Sequence, residues 1–215
     1  MKQQKIYKTF NKIFSIYSDE DLNEIFNSFI DALSFTVEEL DGYTGYHQIR
    51  VAKLATKIAE ELDLSIDQID NVQLSARVHD VGKVRIPAPI LTRVNPLLPL
   101  EFDLIKQHTL VGANILKKIK HFLVIPKVVE QHHEKIDGSG YPYGIKGDDI
   151  LLESQIVCVS DIVDAMTNIR PYRPALGLDT ALNEIEKGMG ILYNTKVCEA
   201  CKSVFKKGFT IQEGV

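Results

Sequence analysis

The sequence has few cysteines, no long apolar run and no strong excess of one charge. Its three cysteines are too few, and odd in number, for a disulfide framework. No apolar run approaches the roughly 18 residues of a membrane span, and the N-terminus leads into no apolar signal core. The formal net charge of −4 gives no general attraction to a nucleic-acid polymer or to an anionic membrane. These absences predict a cytoplasmic protein in which an anionic ligand needs a local positive site.

The sequence also lacks alternating strand patterns, internal repeats and low-complexity tracts. Apolar residues instead recur at helical spacing along most of the chain. The expected fold is all-α, a globular bundle of roughly eight to ten helices. Residues 1–38 are interpreted as an N-terminal helical lead-in, which is a packing appendage, a helix that forms a homodimer, or the tail of a missing sensory domain. Ser65 and Gln68 have the spacing of an N-cap and first turn, which predicts the start of the helix that ends at His79. Further helices are predicted at 101–119, 152–167, 178–187 and 197–206.

The chain is organised around His79, Asp80 and Lys83. An apolar helical pattern ends at the His-Asp pair and is broken at Gly82, so the pair and the lysine lie at a helix terminus. Adjacent residues on a helix point about 100° apart, so this pair needs other ligands to hold a metal ion. Helices and loops of similar length separate the residues that could supply them: His47, His108, His132, His133 and Asp161.

Seven such ligands exceed the needs of one tetrahedral zinc ion and suit two metal ions of higher coordination number. Imidazole with carboxylate favours iron, manganese, zinc or nickel over calcium, and Asp80 could bridge both ions. Two ions about 3.5–4 Å apart polarise a phosphoryl oxygen and hold a hydroxide for in-line attack, which predicts phosphoester hydrolysis. Lys83, Arg170 and Arg173 could bind the phosphate. On spacing alone, a set of purely structural histidines remains the alternative.

Several runs of the sequence resemble the motifs of the HD-GYP family, whose members are HD-superfamily phosphodiesterases that hydrolyse the bacterial second messenger cyclic di-GMP. The main matches are residues 79–83, with the His-Asp pair and Lys83, and residues 132–142, with His-His-Glu and Gly-Tyr-Pro. Further matches lie at 45–52, 87–91, 108–112 and 161–173, in the family's order. The resemblance implies an HD-domain bundle with extra C-terminal helices and places the phosphodiesterase domain at residues 39–215.

The resemblance also implies a role for each matching residue. One metal ion would be held by His47, His79, Asp80 and Asp161. Asp80 would bridge to a second ion held by His108, His132 and His133, and the ions would be Fe or Mn, with Zn or Ni as alternatives. Asp80 and Lys83 would be catalytic, with Lys83 on the scissile phosphate. The remaining ligand contacts would come from Gly140, Tyr141, Asp164, Arg170 and Arg173.

The implied product is the linear dinucleotide pGpG, or GMP when both phosphodiester bonds are cut. Some family members carry a glutamate four residues before the first histidine, which supports a third metal ion. Tyr43 occupies that position here, so two ions and mainly the linear product are expected.

Two other functions remain as alternatives. The first is a non-catalytic signalling module that binds a cyclic dinucleotide, or a diguanylate cyclase domain through the Gly-Tyr-Pro loop. The intact set of seven ligands argues against it, because a binding module does not need them. The second is an HD hydrolase of another phosphoester, which the Gly-Tyr-Pro and Arg-Pro-Tyr-Arg motifs disfavour by resemblance.

Overall fold

The computed structural model describes residues 16–41, 46–169 and 173–211. Within these ranges the chain forms ten α-helices and two 3-10 helices and no β-strand, and an isolated bridge joins Met189 and Tyr193. The predicted all-α fold is confirmed. Most of the helix expected before residue 18 lies outside the described residues. Among the helices of these ranges, none combines the length and the apolar character that a membrane span needs.

The helices follow one another through short connections. The first part of the chain forms α1 (Asp19–Asp41), α2 (His47–Glu61), α3 (Ile66–Val78), a 3-10 helix (Val81–Arg85), α4 (Ala88–Leu91) and α5 (Pro99–Lys106). The second part forms α6 (His108–Leu116), α7 (Ile125–Gln131), a 3-10 turn (Gly147–Asp149), α8 (Leu152–Thr167), α9 (Leu178–Lys187) and α10 (Thr195–Lys206).

Helix α3 begins at a capping box. The Ser65 hydroxyl accepts a hydrogen bond from the Gln68 amide at 3.4 Å, and the Gln68 side chain accepts one from the Ser65 amide at 3.3 Å. This pairing satisfies two amides that the first turn of a helix leaves without an acceptor. The sequence pattern predicted this start, and the 13 residues that follow deliver His79 at the opposite end of the helix.

The predicted single helix at 101–119 is wrong: it is two helices, α5 and α6, with a break at Gln107. The last turn of α5 tightens, because the Gln107 amide donates to the Leu104 carbonyl at 3.1 Å. The imidazole Nδ1 of His108 then lies 2.7 Å from the Ile105 carbonyl oxygen. No glycine or proline marks the break in the sequence. The His108 side chain that follows it is buried in the bundle.

Two apolar clusters hold the bundle together. The larger one joins α2, α3, α8, α9 and α10 through buried side chains that include Leu54, Ile156 and Cys198. The smaller one joins α1, through Ile30 and Val37, to the segment that carries the His-Asp pair and to α6 and α7. Burial of each such aliphatic side chain contributes about 1.5–3 kcal/mol relative to exposure. Helix α1 continues through residue 38, where the sequence analysis placed the end of the lead-in region. The division into a lead-in region and a phosphodiesterase domain stays a prediction.

Gly82 allows the 3-10 helix to pack against α6 backbone to backbone. A Cβ atom at this position would lie 1.9 Å from the His108 carbonyl oxygen and 2.5 Å from the Gly112 nitrogen. Only a residue without a side chain tolerates such an approach. The contact brings Asp80 next to the first turn of α6.

Candidate metal centre

Helix ends bring the predicted ligands to one buried position. His47 is the first residue of α2 and His108 the first of α6, while His79 and His132 directly follow α3 and α7. Each of these four side chains is at most 2% exposed. Asp161 reaches the same position from the middle of α8.

The two oxygens of Asp80 face two different sets of histidines. Oδ2 lies 3.4 Å from His79 Nε2 and 3.8 Å from His47 Nε2, whereas Oδ1 lies 3.4 Å from His108 Nε2. His132 Nε2 lies 3.3 Å from His108 Nε2. The geometry thus divides into two groups of possible ligand atoms, one with His47, His79 and Asp80 and one with His108, His132 and His133. We call them the first and the second ligand group.

Asp161 belongs with the first ligand group, because its Oδ1 lies 3.4 Å from His47 Nε2. The structure therefore brings all seven predicted ligands together, and Asp80 occupies the bridging position between the groups. Their role as metal ligands stays a proposal.

Backbone carbonyls orient three of the imidazoles. The Nδ1 atoms of His79, His108 and His132 lie 2.7–2.8 Å from carbonyl oxygens three residues earlier in the chain. With Nδ1 donating, the lone pair is on Nε2, which faces the cluster. His79 Nε2 is buried and makes no hydrogen bond. A buried nitrogen with an unused lone pair, beside a carboxylate, fits a divalent metal ion.

Charge and burial set the protonation of the cluster. Burial raises the pKa of Asp80, but the charges of Lys83 and of the neighbouring histidines outweigh burial and hold that pKa well below its ordinary value. The Lys83 ammonium lies 2.7 Å from Asp80 Oδ2. Burial lowers the pKa of His47, but hydrogen bonds with Asp161 and Asp164 raise it to about 10. A cation that binds there must displace the proton of His47.

We expect the metal-free protein to lose stability as the pH falls below about 6.5. Burial, and the positive charge of neighbouring histidines, lower the pKa of His132 well below 6.5 and that of His133 to about 3. Below pH 6.5 the unfolded chain therefore binds protons that the folded chain does not. Each histidine costs up to about 1.4 kcal/mol of unfolding free energy per pH unit in this window.

Urea unfolding at pH 7.0, 6.0 and 5.0, with a chelator present, measures this loss. The double variant His132→Asn, His133→Asn is the matched control, because it removes these two titrating groups. Its slope should be shallower than that of the wild type, with the remaining slope due to His108, whose pKa burial also lowers. A wild-type unfolding free energy that stays constant from pH 7 to pH 5 would contradict the expected neutral state of the two histidines.

A cavity of about 510 Å³ opens onto the cluster. Its floor includes Asp80, Lys83, His133 and Asp161. One wall is aromatic: the ring of Tyr141 lies 4.8 Å from that of His133 at an interplanar angle of 33°. The dimensions suit a phosphodiester with attached bases, because pockets of 300–1,000 Å³ hold small ligands and aromatic rings stack on bases.

Phe102 and Arg93 also line this cavity, and the sequence analysis singled out neither. The Phe102 ring lies 6.3 Å from the Tyr141 ring, nearly perpendicular to it. The Arg93 guanidinium pairs with Glu101, which also accepts a hydrogen bond from the Leu98 amide at 2.8 Å. These two residues reach the wall of the cavity only through the fold of α5 and of the segment between α4 and α5. No local sequence pattern identifies them as lining residues.

Asp164 is absent from the lining of the cavity, and its predicted ligand contact stays a prediction. Its side chain is 1% exposed. Oδ2 lies 2.7 Å from His47 Nδ1, and Oδ1 accepts a hydrogen bond from Arg50 Nε at 2.7 Å. The carboxylate thereby fixes the tautomer and the orientation of His47.

Gly140 and Arg173 are also absent from the cavity lining. A Cβ atom at Gly140 would lie 2.4 Å from Glu134 Cα, so this glycine permits the loop to pack on the backbone after His133. Its predicted ligand contact stays a prediction. Arg173 Nη2 donates to the Ala165 carbonyl at 2.6 Å, which ties the side chain to α8. The predictions for Arg170 and Tyr43 concern positions outside the described residues.

Comparison with known proteins agrees with this geometry. The family model of the HD domain matches residues 27–197. The chain belongs to the HD domain family. A cyclic di-GMP phosphodiesterase of Thermotoga maritima is 38% identical over 195 residues, which are 90% of this chain and 52% of the relative. A 3'3'-cGAMP-specific phosphodiesterase of Vibrio cholerae is 33% identical over 85% of this chain and 39% of the relative. The HD domain chain thus spans about half, or less, of the length of these relatives.

A solved structure supports the fold of this HD domain. An HDG"Y"P protein from Bdellovibrio bacteriovorus superimposes with a TM-score of 0.65 at 20% identity, over 85% of this chain and 64% of that one. The predicted HD-type bundle and the HD-GYP resemblance are confirmed.

Proposed function

We propose that this HD domain is a metal-dependent phosphodiesterase that hydrolyses cyclic di-GMP to linear pGpG. The observation that carries the proposal is the position of Asp80 between the two ligand groups, beside Lys83, on the floor of the cavity. A bridging carboxylate between two sets of imidazoles is suited to a pair of divalent ions. The activity named for the Thermotoga maritima relative supports the same function.

The first ligand group with Asp161 would hold one ion, and the second ligand group with Asp80 would hold the other. We propose iron or manganese, with zinc or nickel as less suited alternatives for this mixed donor set. When bound, the ions supply Lewis acidity toward water and the phosphoryl oxygen.

The side chains of the cavity perform the remaining steps. Lys83 directs a positive charge at the phosphate and stabilises the charge that develops on its oxygens. Tyr141 and Phe102 offer ring faces and edges to the bases. Arg93 can donate two parallel hydrogen bonds, either to a phosphate or to O6 and N7 of guanine.

The test is product analysis after anaerobic reconstitution with Fe(II) or Mn(II). Purified protein is incubated with cyclic di-GMP and, in parallel, with 3'3'-cGAMP, because a relative acts on the latter. We expect metal-dependent formation of pGpG. GMP as the dominant early product would contradict the proposed end point. Absence of turnover of both substrates, with two ions bound per chain, would refute the enzyme and favour the binding module.

Lys83→Ala is expected to leave both metal ions bound and to lower kcat by about 10²–10³-fold, as for the loss of one electrostatic donor in an active site. Metal content by plasma mass spectrometry and steady-state kinetics measure the two effects separately. Lys53→Ala, which removes an exposed lysine of α2, is the matched control. An unchanged kcat in Lys83→Ala would remove this residue from the mechanism.

We also propose a protein partner for this domain. The side chain of Tyr143, next to the Gly-Tyr-Pro segment, is 58% exposed and offers a surface for a diguanylate cyclase domain. That partner, a homodimer and a cytoplasmic location stay predictions, which pull-down, light scattering and fractionation would test.

A further inference from the structure

Glu38 is a buried carboxylate of α1 that caps a different helix. Glu38 is only 5% exposed to solvent. Oε2 accepts a hydrogen bond from the Tyr46 amide at 2.8 Å, and Oε1 accepts one from the Gln48 amide at 2.7 Å. These amides flank His47 in the chain. Tyr46, the residue at the N-cap position of α2, makes no side-chain cap of its own, so Glu38 supplies the acceptor from outside.

The backbone that Glu38 holds is in an uncommon conformation. Tyr46 has a φ of 70°, in the left-handed region that residues other than glycine rarely adopt. The ring of Phe35, one turn before Glu38 on α1, meets the ring of Tyr46 edge-on at 5.2 Å. Two side chains of α1 therefore hold the residue that directly precedes His47.

Helix α1 also contacts the chain just before His79. The Ser34 hydroxyl donates to the Arg77 carbonyl oxygen. The side chain of Arg77 returns to α1, where its Nε donates to Asp31 at 3.1 Å. The contacts from Glu38 and from Ser34 thus lead to His47 and His79, and both histidines belong to the first ligand group.

We propose that Glu38 is a positioning residue for His47 and that it sets the metal affinity of the first ligand group. The inference rests on the proposed function only in that it takes the two groups as metal ligands. His47 is then fixed twice, through its side chain by Asp164 on α8 and through its backbone by Glu38 on α1. Helix α1, interpreted from its sequence as a lead-in, becomes part of the metal centre.

Mn(II) titration of the full chain tests this proposal. The variants are Glu38→Ala, Glu38→Gln and, as the matched control, Glu39→Ala, which removes the exposed neighbouring carboxylate. The readouts are metal stoichiometry, the electron paramagnetic resonance spectrum of bound Mn(II), and helicity and melting by circular dichroism. Wild-type protein and Glu39→Ala are expected to bind two ions with the spectrum of a coupled pair.

Glu38→Ala is expected to keep its helicity and to bind one of the two ions about 10–100-fold more weakly, with the six-line spectrum of an isolated ion. Glu38→Gln keeps one acceptor oxygen, so we expect an intermediate affinity, and it serves as the test if the alanine variant does not fold. Two ions bound with wild-type affinity in Glu38→Gln or Glu38→Ala would overturn the proposal. Equal weakening of both ions would also overturn it. Failure of the wild-type protein to bind metal would instead overturn the proposed function from which the two ligand groups derive.

Discussion

Asp80→Ala is expected to remove both metal ions together and to lower kcat/KM by at least about 10³-fold, since Lewis-acid stabilisation of a phosphoryl transition state is worth several kcal/mol. The reason is geometric. Oδ2 of Asp80 faces His79 at 3.4 Å, and Oδ1 faces His108 at the same distance. One truncation thus removes a ligand from each group, whereas loss of any single histidine affects one group only.

Metal content and turnover of the reconstituted variant measure this effect. Asp70→Ala is the matched control, because it removes an exposed carboxylate from α3, the helix that precedes Asp80. His132→Ala, in the second ligand group alone, should lose one ion. Retention of two ions and of full turnover in Asp80→Ala would refute the bridging role and, with it, the two-metal centre.

Asp164→Ala is expected to destabilise the metal-free protein by about 3–5 kcal/mol at pH 7, the usual result of removing one partner from a buried ion pair. The carboxylate accepts a hydrogen bond from Arg50 Nε at 2.7 Å and lies 2.7 Å from His47 Nδ1. Arg50 Nη2 donates another hydrogen bond at 3.2 Å, and Asn168 Nδ2 donates one at 3.0 Å. The variant should also bind metal at the first ligand group more weakly, because His47 loses the group that selects its tautomer.

Urea unfolding and the KM for cyclic di-GMP distinguish this role from a direct ligand contact. A positioning role lowers the unfolding free energy and leaves the KM of the residual activity near the wild-type value. A direct ligand contact, the sequence-based expectation, would raise the KM and leave the unfolding free energy near the wild-type value. Asp179→Ala, at an exposed carboxylate of α9, is the control for loss of an acidic residue.

Local rules predicted those parts of the fold that local interactions determine. The capping box of Ser65 and Gln68 marked the start of α3, and the bounds of α8 and α9 followed from apolar periodicity. The break at Gln107 was missed because apolar spacing continues through it and because it contains no glycine or proline. The accompanying contact of His108 with the Ile105 carbonyl oxygen is local, but helical periodicity does not report it.

The candidate site likewise contains features that the sequence predicted and features that it did not. The motifs brought all seven possible ligands into one set and gave Asp161 and Asp164, one turn apart on α8, different roles, but they did not indicate the contact of Asp164 with His47. The fold turns the first toward His47 Nε2 and places the second between His47 Nδ1 and Arg50. Glu38 is a similar case, since a cap supplied by another helix has no sequence signature at the helix it caps.

Three helices end at the metal centre. The carbonyls that orient His79, His108 and His132 belong to the last turns of α3, α5 and α7, where a helix carries partial negative charge. Asp80 and Asp161 add two negative charges there, and the Lys83 ammonium and the proton on His47 offset them. The proposed metal ions would take the place of that proton, so loading of the site would release acid, and the apparent metal affinity would rise with pH.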